Sequence, residues 1–306
     1  MITPASSPAS TPVASVHPAP PAALARPLTR HTRAEARAWR AAHRDRRLAL
    51  VPTMGFLHEG HLALMRAARA TADLVMASIF VNPTQFGPGE DLDRYPRDPE
   101  GDLEKCAAAG CDAVFLPLAA EMYRPGAQTR VEVPALAAPL CGVSRPTHFA
   151  GVATVVTKLF LITGCDVAVF GEKDFQQLAV IRRFTQDLDL PVEILGHPIV
   201  READGLAMSS RNAYLDPEAR RRATCLSRGL QAARRDFEAG ERDPRRLEAA
   251  VRGVVEATPG AQIDYIEARD PDSLAEVAAP CPHLVLALAV RVGATRLIDN
   301  AVLRAR

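Results

Sequence analysis

Short apolar runs alternate with amphipathic segments along the middle of the chain. Runs of Val, Ile, Leu and Ala are typical of buried strands, and apolar residues at helical spacing indicate helices. The pattern predicts strands at 48–52, 74–81, 113–116, 167–170 and 192–195, separated by helices at 62–72, 103–109, 152–162 and 175–187. This alternation predicts an α/β fold with a parallel sheet covered on both faces and a ligand site at the carboxyl ends of the strands.

The pattern changes after about residue 200. Helices rich in Ala, Arg and Glu are predicted at 217–240 and 245–257, and strands at 263–268, 284–292 and 296–299. Helices followed by neighbouring strands predict a small, separate α+β domain. We therefore predict a larger α/β domain over residues 26–199 and a smaller domain over 200–306 that closes the site.

Residues 1–25 form a Pro-, Ala- and Ser-rich extension without charged side chains apart from His17. Such a segment cannot bury enough apolar area to offset its ordering entropy, so we expect it to be disordered. The Arg-rich stretch 26–47 comes next. It fits either an organelle-targeting segment or the solvated face of a first helix, and we favour the helix because the arginines run directly into the fold.

Composition excludes several classes of protein. The 306 residues are 48% hydrophobic and 24% charged, as in ordinary globular proteins. The net charge of +1 gives no global field for nucleic acid or an anionic membrane, and the apolar run at 155–163 is too short to span a bilayer. Six cysteines form no C-x-x-C pair and no zinc pattern, so we expect reduced thiols in a cytoplasmic protein.

Two histidines follow the first predicted strand of the larger domain. His58 and His61 are three residues apart at a helical entry, where free backbone N–H groups favour an anion. Gly55 and Gly60 would let the backbone approach a ligand closely. The imidazoles are suited to donate to phosphate oxygens or to shuttle protons, whereas two surface histidines or a metal pair are the alternatives. Against zinc, no third ligand lies nearby at a suitable spacing.

Polar residues also follow the next strand. Gln85 offers a donor and an acceptor at the carboxyl edge of the sheet, where a small polar substrate would bind, although a turn glutamine facing water fits equally well. The polar, proline-broken segment 91–97 is either a flap over the site or a surface loop.

Two further segments complete the candidate chemistry. Lys173 would contact phosphates as a point charge, Asp174 would cap a helix or accept from ribose hydroxyls, and Gln177 lies one helical turn further on. Hydroxyls and a guanidinium in the run Ser209–Arg211 form a possible phosphate clamp or an ordinary helix cap. The loop that carries this run lies where the composition changes, so it would connect the two domains across a cleft.

With these segments together, the chain resembles the pantothenate synthetase (pantoate–β-alanine ligase) family over roughly residues 28–303. The resemblance rests on several long motifs in a fixed order. They are PTMGFLHEGH at 52–61, SIFVNPTQF at 78–86, DLDRYPRD at 91–98, RPTHFAGV at 145–152, FGEKDFQQL at 170–178, VREADGLAMSSRNAYL at 200–215 and RLIDN at 296–300. The H-x-x-H and MSSR segments look like the two signatures of the nucleotidylyltransferase superfamily.

The resemblance implies a Rossmann-like fold and an ATP-dependent reaction. In the family, pantoate attacks the α-phosphorus of ATP to give pantoyl adenylate and pyrophosphate, and the amine of β-alanine then displaces AMP to give pantothenate. Mg²⁺ is expected with ATP, held mainly by phosphate oxygens and water, and no tightly bound cofactor is expected. The family is typically a cytoplasmic homodimer, with no nucleic-acid or membrane partner.

The resemblance also implies roles for individual residues. His61 matches a proton donor, Gln85 a contact of pantoate and β-alanine, and Gln177 a contact of pantoate. We expect fixed positive donors around the phosphates, supplied by His58, His61, Lys173, Ser209, Ser210 and Arg211. The implied ATP contacts are Met54, Gly55, Phe56, Leu57, His58, Glu59, Gly60, His61, Gly171, Glu172, Lys173, Asp174, Val200, Met208, Ser209, Ser210 and Arg211.

Two other functions compete with this hypothesis. Another adenylate-forming or nucleotidyl-transferring member of the superfamily would use a different acceptor and would not need both Gln85 and Gln177. An RNA-binding module that uses residues 26–47 would require interleaved aromatics, and aromatics are only 5% of the chain. The chain departs from the family at Cys141, where an acidic residue is common. Cys165 is also close to the site, and we expect neither cysteine to touch the matched motifs.

Overall fold

The computed structural model describes residues 26–305, so the expected disorder of residues 1–25 lies outside the described residues. The larger sheet contains β1 (Leu28–Arg30), β2 (Leu48–Thr53), β3 (Leu74–Ile79), β4 (Ala113–Phe115), β5 (Val167–Gly171) and β6 (Glu193–His197). Its order is β1-β4-β3-β2-β5-β6, and every neighbouring pair is parallel. The predicted α/β fold with a parallel sheet is confirmed.

Helices cover both faces of this sheet. They are α1 (Arg33–Ala42), α2 (Glu59–Thr71), α3 (Pro99–Ala108), the short α4 (Ala119–Met122), α5 (Pro134–Ala137) and α6 (Cys141–Ser144), then α7 (His148–Thr163) and α8 (Phe175–Asp187). In β2, Leu48 and Leu50 pack with α1, α7 and α8, whereas Ala49 and Val51 pack with α2 and α3. Because successive side chains point to opposite faces, a strand covered on both sides is apolar throughout, as the sequence pattern indicated.

The C-terminal part of the chain builds a second sheet. Strands β7 (Ala261–Arg269), β8 (His283–Val292) and β9 (Thr295–Arg304) pair antiparallel in that order. Helices α9 (Pro217–Ala223), α10 (Cys225–Glu238) and α11 (Pro244–Glu256) precede it. Leu230, Leu247 and Leu286 belong to a hydrophobic cluster built from residues of this region. The expected small α+β unit is present, and its boundary at residue 200 stays a prediction.

Several element boundaries differ from the predictions. The single helix expected over 217–240 is interrupted at Thr224, whose hydroxyl donates to the carbonyl of Arg221 at 2.7 Å and competes with the helical ladder. The helix expected from residue 103 begins at Pro99, because Asp98 caps it and proline suits the first helical position. The helix expected from 152 begins at His148, and β9 extends beyond the expected 296–299.

The Arg-rich stretch 26–47 is part of the fold. It contributes β1, α1 and the entry to β2, and its arginines lie on the surface of these elements. Arg33 pairs with Glu121 at 2.9 Å and Arg40 with Asp166 at 3.1 Å, so these side chains tie α1 to the rest of the domain. The structure therefore agrees with a solvated helix face. Among residues 26–305, no helix is both long and apolar enough to cross a membrane.

The strand order places a crevice between β2 and β5. The chain leaves β2 towards β3 on one side of the sheet and leaves β5 towards β6 on the other. At such a switch point the two loops separate and open a cleft at the carboxyl ends of the strands. The segments that follow these two strands are those that begin at Met54 and Glu172, so the fold brings two of the four candidate segments to one place.

Candidate active site

A cavity of about 850 Å³ opens at this switch point, a size typical of small-molecule sites. Three separate segments bring the predicted phosphate-binding residues into it: His58 and His61, then Lys173, then Ser209 to Arg211. Other predicted residues that line it are Met54, Gly60, Gln85, Gly171, Asp174, Gln177, Val200 and Met208. Residues distant in the sequence therefore share one cavity.

Five residues implied as ATP contacts do not line this cavity. Leu57 is buried in the core beneath the loop, and Glu59 is paired with Arg66 at the surface. The carbonyl of Phe56 instead accepts a hydrogen bond from Ser210 Oγ at 3.3 Å. The segment therefore lines the cavity only in part, and its contacts with ATP stay a prediction. The residues set back from the cavity are Gly55, Phe56, Leu57, Glu59 and Glu172.

The two histidines stack against each other at the start of α2. Their ring centroids are 4.0 Å apart, and the backbone N–H of His58 donates to His61 Nδ1 at 3.3 Å. This contact requires an unprotonated Nδ1, so the neutral His61 ring carries its proton on Nε2. Burial, together with nearby Lys173, lowers the pKa of His58 to about 4; burial and the neighbouring His58 lower the pKa of His61 well below its ordinary value. Both imidazoles are therefore neutral donors at pH 7, not the positive donors that we expected.

The glycines of this segment accommodate neighbouring protein groups, and the expectation that they also let a ligand approach stays a prediction. A Cβ atom on Gly60 would lie 2.9 Å from the ring of His58. Gly55 has φ of +83°, and a Cβ atom there would lie 2.9 Å from Asp102 Oδ2. Both glycines are needed because the loop packs tightly on itself and on α3.

Lys173 is the central residue of a short 3₁₀ turn, Glu172–Asp174. The amide of Asn300, in β9, donates to the carbonyls of Glu172 and Lys173, both at 2.9 Å. Among residues 26–305, no carboxylate lies within 4.0 Å of the Lys173 ammonium, so its charge is directed to the cavity without a partner. Asp174 makes no capping hydrogen bond to α8, so the capping interpretation is wrong and its carboxylate lines the cavity.

The third segment forms another short 3₁₀ turn, Ser210–Tyr214. Ser209 Oγ caps it by accepting from the backbone N–H of Arg211 at 3.3 Å, so the cap interpretation of this serine is correct. Arg211 forms two hydrogen bonds with the carboxylate of Asp91. Asp91 and Tyr95 both line the cavity, so segment 91–97 borders the site, and its action as a flap stays a prediction.

Gln85 is held by a dense hydrogen-bond network. Its side-chain oxygen accepts from Asn82 Nδ2 at 3.0 Å, and its amide nitrogen contacts Met54 Sδ at 3.1 Å. The backbone carbonyl of Gln85 accepts a hydrogen bond from His148 Nδ1 at 2.8 Å and another from Arg145 Nη2 at 3.2 Å. Since Gln85 is only 8% exposed, the interpretation as a turn glutamine facing water is wrong.

Sequence reasoning missed several residues of the cavity, namely Asn82, Tyr95, Arg145, His148 and Arg296. Asn82 directly follows a predicted strand, and that position was the available signal for it. Burial, with Arg145 nearby, lowers the pKa of His148 to about 4. The backbone carbonyl of Gln85 accepts a hydrogen bond from Nδ1–H of His148, so the neutral ring of His148 has an unprotonated Nε2.

The two cysteines near the site differ in their surroundings. Cys141 lines the cavity, with its Sγ 3.4 Å from Tyr265 Oη and 3.6 Å from Arg296 Nη2. Arg296 belongs to the RLIDN motif, so the expectation that Cys141 touches no matched motif is wrong. Cys165 is buried outside the cavity, and burial raises the pKa of its thiol to about 12. All six cysteines are free thiols.

A parallel sheet whose switch point carries imidazole, ammonium, hydroxyl and guanidinium donors is typical of the class of α/β proteins that bind a phosphorylated ligand. The comparisons with known proteins agree with that class and narrow it. The model of the pantoate–β-alanine ligase family matches residues 28–302, and the chain belongs to this family. It is a ligase that condenses pantoate with β-alanine to pantothenate in an ATP-dependent reaction, as the sequence motifs predicted.

Relatives cover nearly the whole described chain. Pantothenate synthetase of Citrifermentans bemidjiense is 57% identical over 262 residues, which are 85% of this chain and 94% of that protein. That of Roseiflexus castenholzii is 58% identical over 271 residues, 89% and 97% of the two chains. The Thermus thermophilus enzyme has a crystal structure with a TM-score of 0.86 and 46% identity, covering 90% of this chain and 98% of that one.

A more distant structure adds information on ligands. It is the pantoate–β-alanine ligase of Francisella tularensis, complexed with β-γ ATP and β-alanine. Its TM-score is 0.74 and its identity 30%, with coverage of 90% of this chain and 97% of that one.

Proposed function

We propose that ATP binds in the cavity with its triphosphate between the three donor segments, and that pantoate binds beside it at Gln85 and Gln177. The convergence of His58, Lys173 and Ser210 in one cavity carries this proposal. Groups that are fixed before the substrate arrives need no reorganisation as charge develops, so they stabilise a phosphoryl-transfer transition state efficiently.

In the first step, a carboxylate oxygen of pantoate attacks the α-phosphorus, and the bond to pyrophosphate breaks. Negative charge grows on the nonbridging oxygens and on the departing pyrophosphate. Lys173 supplies full positive charge, while His58 and His61 donate as neutral rings. His61 presents Nε2–H, because its Nδ1 accepts from the His58 backbone. A bound triphosphate would raise the pKa of both rings and so favour their protonated, positively charged form.

In the second step, the amine of β-alanine attacks the acyl carbon of pantoyl adenylate. The carbon–nitrogen bond forms, the bond to the phosphate of AMP breaks, and the amine releases a proton. Gln85 orients the acyl group, because Asn82 and Met54 restrict its side chain to one position. Gln177 contributes from the first turn of α8. Rigid placement of the two small reactants lowers the activation free energy of the reaction substantially.

The remaining predicted residues of the cavity are assigned to contacts with the nucleoside and the phosphates of ATP. Asp174 accepts from the ribose hydroxyls, since its carboxylate makes no capping bond to α8. Gly171, Val200 and Met208 contact the nucleoside, and Ser209 contacts phosphate in addition to capping its turn.

Mg²⁺ enters as part of the substrate MgATP. Among residues 26–305, no three His, Cys, Asp or Glu side chains gather to hold a metal. We propose that phosphate oxygens and water hold this ion. The ion would neutralise charge on the phosphates, and the residues of the chain bind and orient the nucleotide.

We further propose a cytoplasmic homodimer in which the unit after residue 200 closes over the site. Leu118 and Leu161 are 78% and 62% exposed, and we propose that they contribute to the interface between the subunits. Analytical ultracentrifugation tests the dimer: a single species at the monomer mass across micromolar concentrations would contradict it.

The assay that tests the function supplies ATP, Mg²⁺, pantoate and β-alanine and omits each in turn. We expect pyrophosphate from ATP and pantoate without β-alanine, limited to about one turnover, and continuous AMP release only with all four. Pyrophosphate release that needs β-alanine would contradict the order of steps proposed here.

A matched pair of lysine variants tests the site. Lys173→Ala should lower the rate of pyrophosphate release by on the order of 10²–10³, as expected for loss of a preorganised charge. Lys158→Ala removes another of the three lysines, from a position outside the cavity on α7, and should leave the rate unchanged. Equal rates of pyrophosphate release for the two variants would contradict a catalytic role of Lys173.

A further inference from the structure

The loop between β2 and α2 has an unusual backbone. Gly55 and Phe56 are both in the left-handed region, with φ of +83° and +49°. Phenylalanine adopts this conformation at a cost, so something in the surroundings must hold it there. In this conformation the backbone N–H groups of Phe56 and Leu57 point to the same side of the loop.

Asp102 of α3 occupies the position to which those N–H groups point. Its Oδ2 accepts from the Phe56 N–H at 2.8 Å, and its Oδ1 accepts from the Leu57 N–H at 2.7 Å. The side chain is 1% exposed, and neither the motifs nor the cavity lining includes it. A buried carboxylate that accepts two backbone N–H bonds makes strong, charge-assisted contacts, and these offset the strain of the loop.

This loop also sets the geometry of the donors in the cavity. Leu57 directly precedes His58, whose backbone N–H fixes the ring of His61. The carbonyl of Phe56 accepts from Ser210 Oγ, so the same loop receives the third donor segment. A shift of the loop would move all three donors together.

We infer that Asp102 is a positioning residue for the phosphate-binding donors: it holds the left-handed loop 55–57 and thereby aims His58, His61 and Ser210. This inference rests on the proposed function of that site. It predicts that Asp102 matters for adenylate formation far more than for the later attack of the amine, because the triphosphate is present only in the first step.

Asp102→Asn tests the inference with almost no change in volume. The amide keeps one acceptor but turns a donor towards a backbone N–H, so one hydrogen bond becomes a repulsive contact. We expect single-turnover pyrophosphate release from ATP and pantoate to slow roughly 10- to 100-fold, as for loss of a hydrogen bond to a charged group. Formation of pantothenate from supplied pantoyl adenylate and β-alanine should change less than threefold.

Asp98→Ala is the matched control. Asp98 caps the same helix by accepting from the Gly101 N–H at 3.2 Å, and it does not line the cavity. Loss of this cap lowers the melting temperature through α3 but leaves loop 55–57 in place. Both partial reactions should keep the wild-type rates in this variant.

Gly55→Ala provides an independent route to the same loop. The added Cβ would press on Asp102 Oδ2 and would be strained at φ of +83°. We expect the same selective loss, and a double variant with Asp102→Asn that is no slower than the worse single variant. If Asp102→Asn does not fold, Gly55→Ala alone decides the matter.

Equal slowing of the two partial reactions, or no slowing of either in a folded variant, would overturn the inference and leave Asp102 a structural residue. Failure of the proposed function is distinguishable from this outcome, since the wild-type chain itself would then release no pyrophosphate from ATP and pantoate.

Discussion

Arg211 and Asp91 face each other at the mouth of the cavity in a bidentate ion pair. Nε to Oδ2 and Nη2 to Oδ1 are both 2.9 Å. The side chains are 30% and 15% exposed, so the pair is partly shielded from solvent. The guanidinium that the sequence offered as a phosphate ligand is therefore already neutralised, and a triphosphate has to compete with a carboxylate for it.

Removal of that carboxylate should strengthen nucleotide binding. In Asp91→Asn, Arg211 keeps its place but loses its charged partner, so more positive potential reaches the phosphates. We expect the Kd for ATP, measured by calorimetry, to fall severalfold. Arg211→Ala should raise the same Kd. An Asp91→Asn variant that binds ATP more weakly would show that Asp91 supports binding.

Stability should depend on pH through the buried imidazoles. The pKa values of His58 and His148 are lowered to about 4, chiefly by burial, and return to about 6.5 in the unfolded chain. Between pH 6.5 and 4 the unfolded chain therefore binds more protons. The free energy of unfolding should be highest above pH 6.5 and decrease as the pH falls towards 4. Urea titrations at a series of pH values measure how the free energy of unfolding depends on pH. His58→Gln should weaken this dependence. An unchanged dependence in that variant would contradict the lowered pKa of His58.

Asn300 should affect both catalysis and stability. Asn300→Ala leaves the carbonyls of Glu172 and Lys173 without their donor, which costs about 1–3 kcal/mol of unfolding free energy. Because the lysine turn loses its support, kcat should fall more than KM for ATP rises. Ser227→Ala removes another buried polar group of the same region and should leave kcat unchanged.

Gly151 permits a close approach of α7 to the turn that carries Gln85. A Cβ atom at Gly151 would lie 2.3 Å from the carbonyl oxygen of Thr84 and 2.7 Å from the Gln85 nitrogen. Gly151→Ala should displace Gln85 and raise KM for pantoate at least tenfold, as steady-state kinetics would measure. Gly253→Ala, in α11, meets no atom within 4 Å and should raise the melting temperature slightly without changing KM. Equal KM values for the two variants would contradict this role of Gly151.

The sequence predicted the larger sheet well because its strands carry a local signal. Val167 to Phe170 are all apolar since both faces of β5 are covered, and such runs need no knowledge of the partners. The edge strand β1 has three residues and half-exposed side chains, so its pattern carries little information. Its place next to β4 depends on contacts more than 80 residues away.

The site was predictable as a set of residue types but not as a network. Strand ends pointed to His58, Gln85 and Lys173, because polar groups at that edge of a parallel sheet share a cleft. Nothing in the sequence indicated that Asp91 neutralises Arg211 or that Asp102 supports the loop. Those relationships depend on backbone angles and on packing between distant segments, which periodicity does not encode.

The hydrogen bonds from Asn300 have a consequence for biosynthesis of the enzyme. β9 is the last element of the described chain, and it holds a turn formed more than a hundred residues earlier. While the chain is being made on the ribosome, the turn that carries Lys173 therefore emerges well before the strand that supports it. A chain that ended before β9 would lack the amide that holds this turn, together with the residues of β9 that line the cavity.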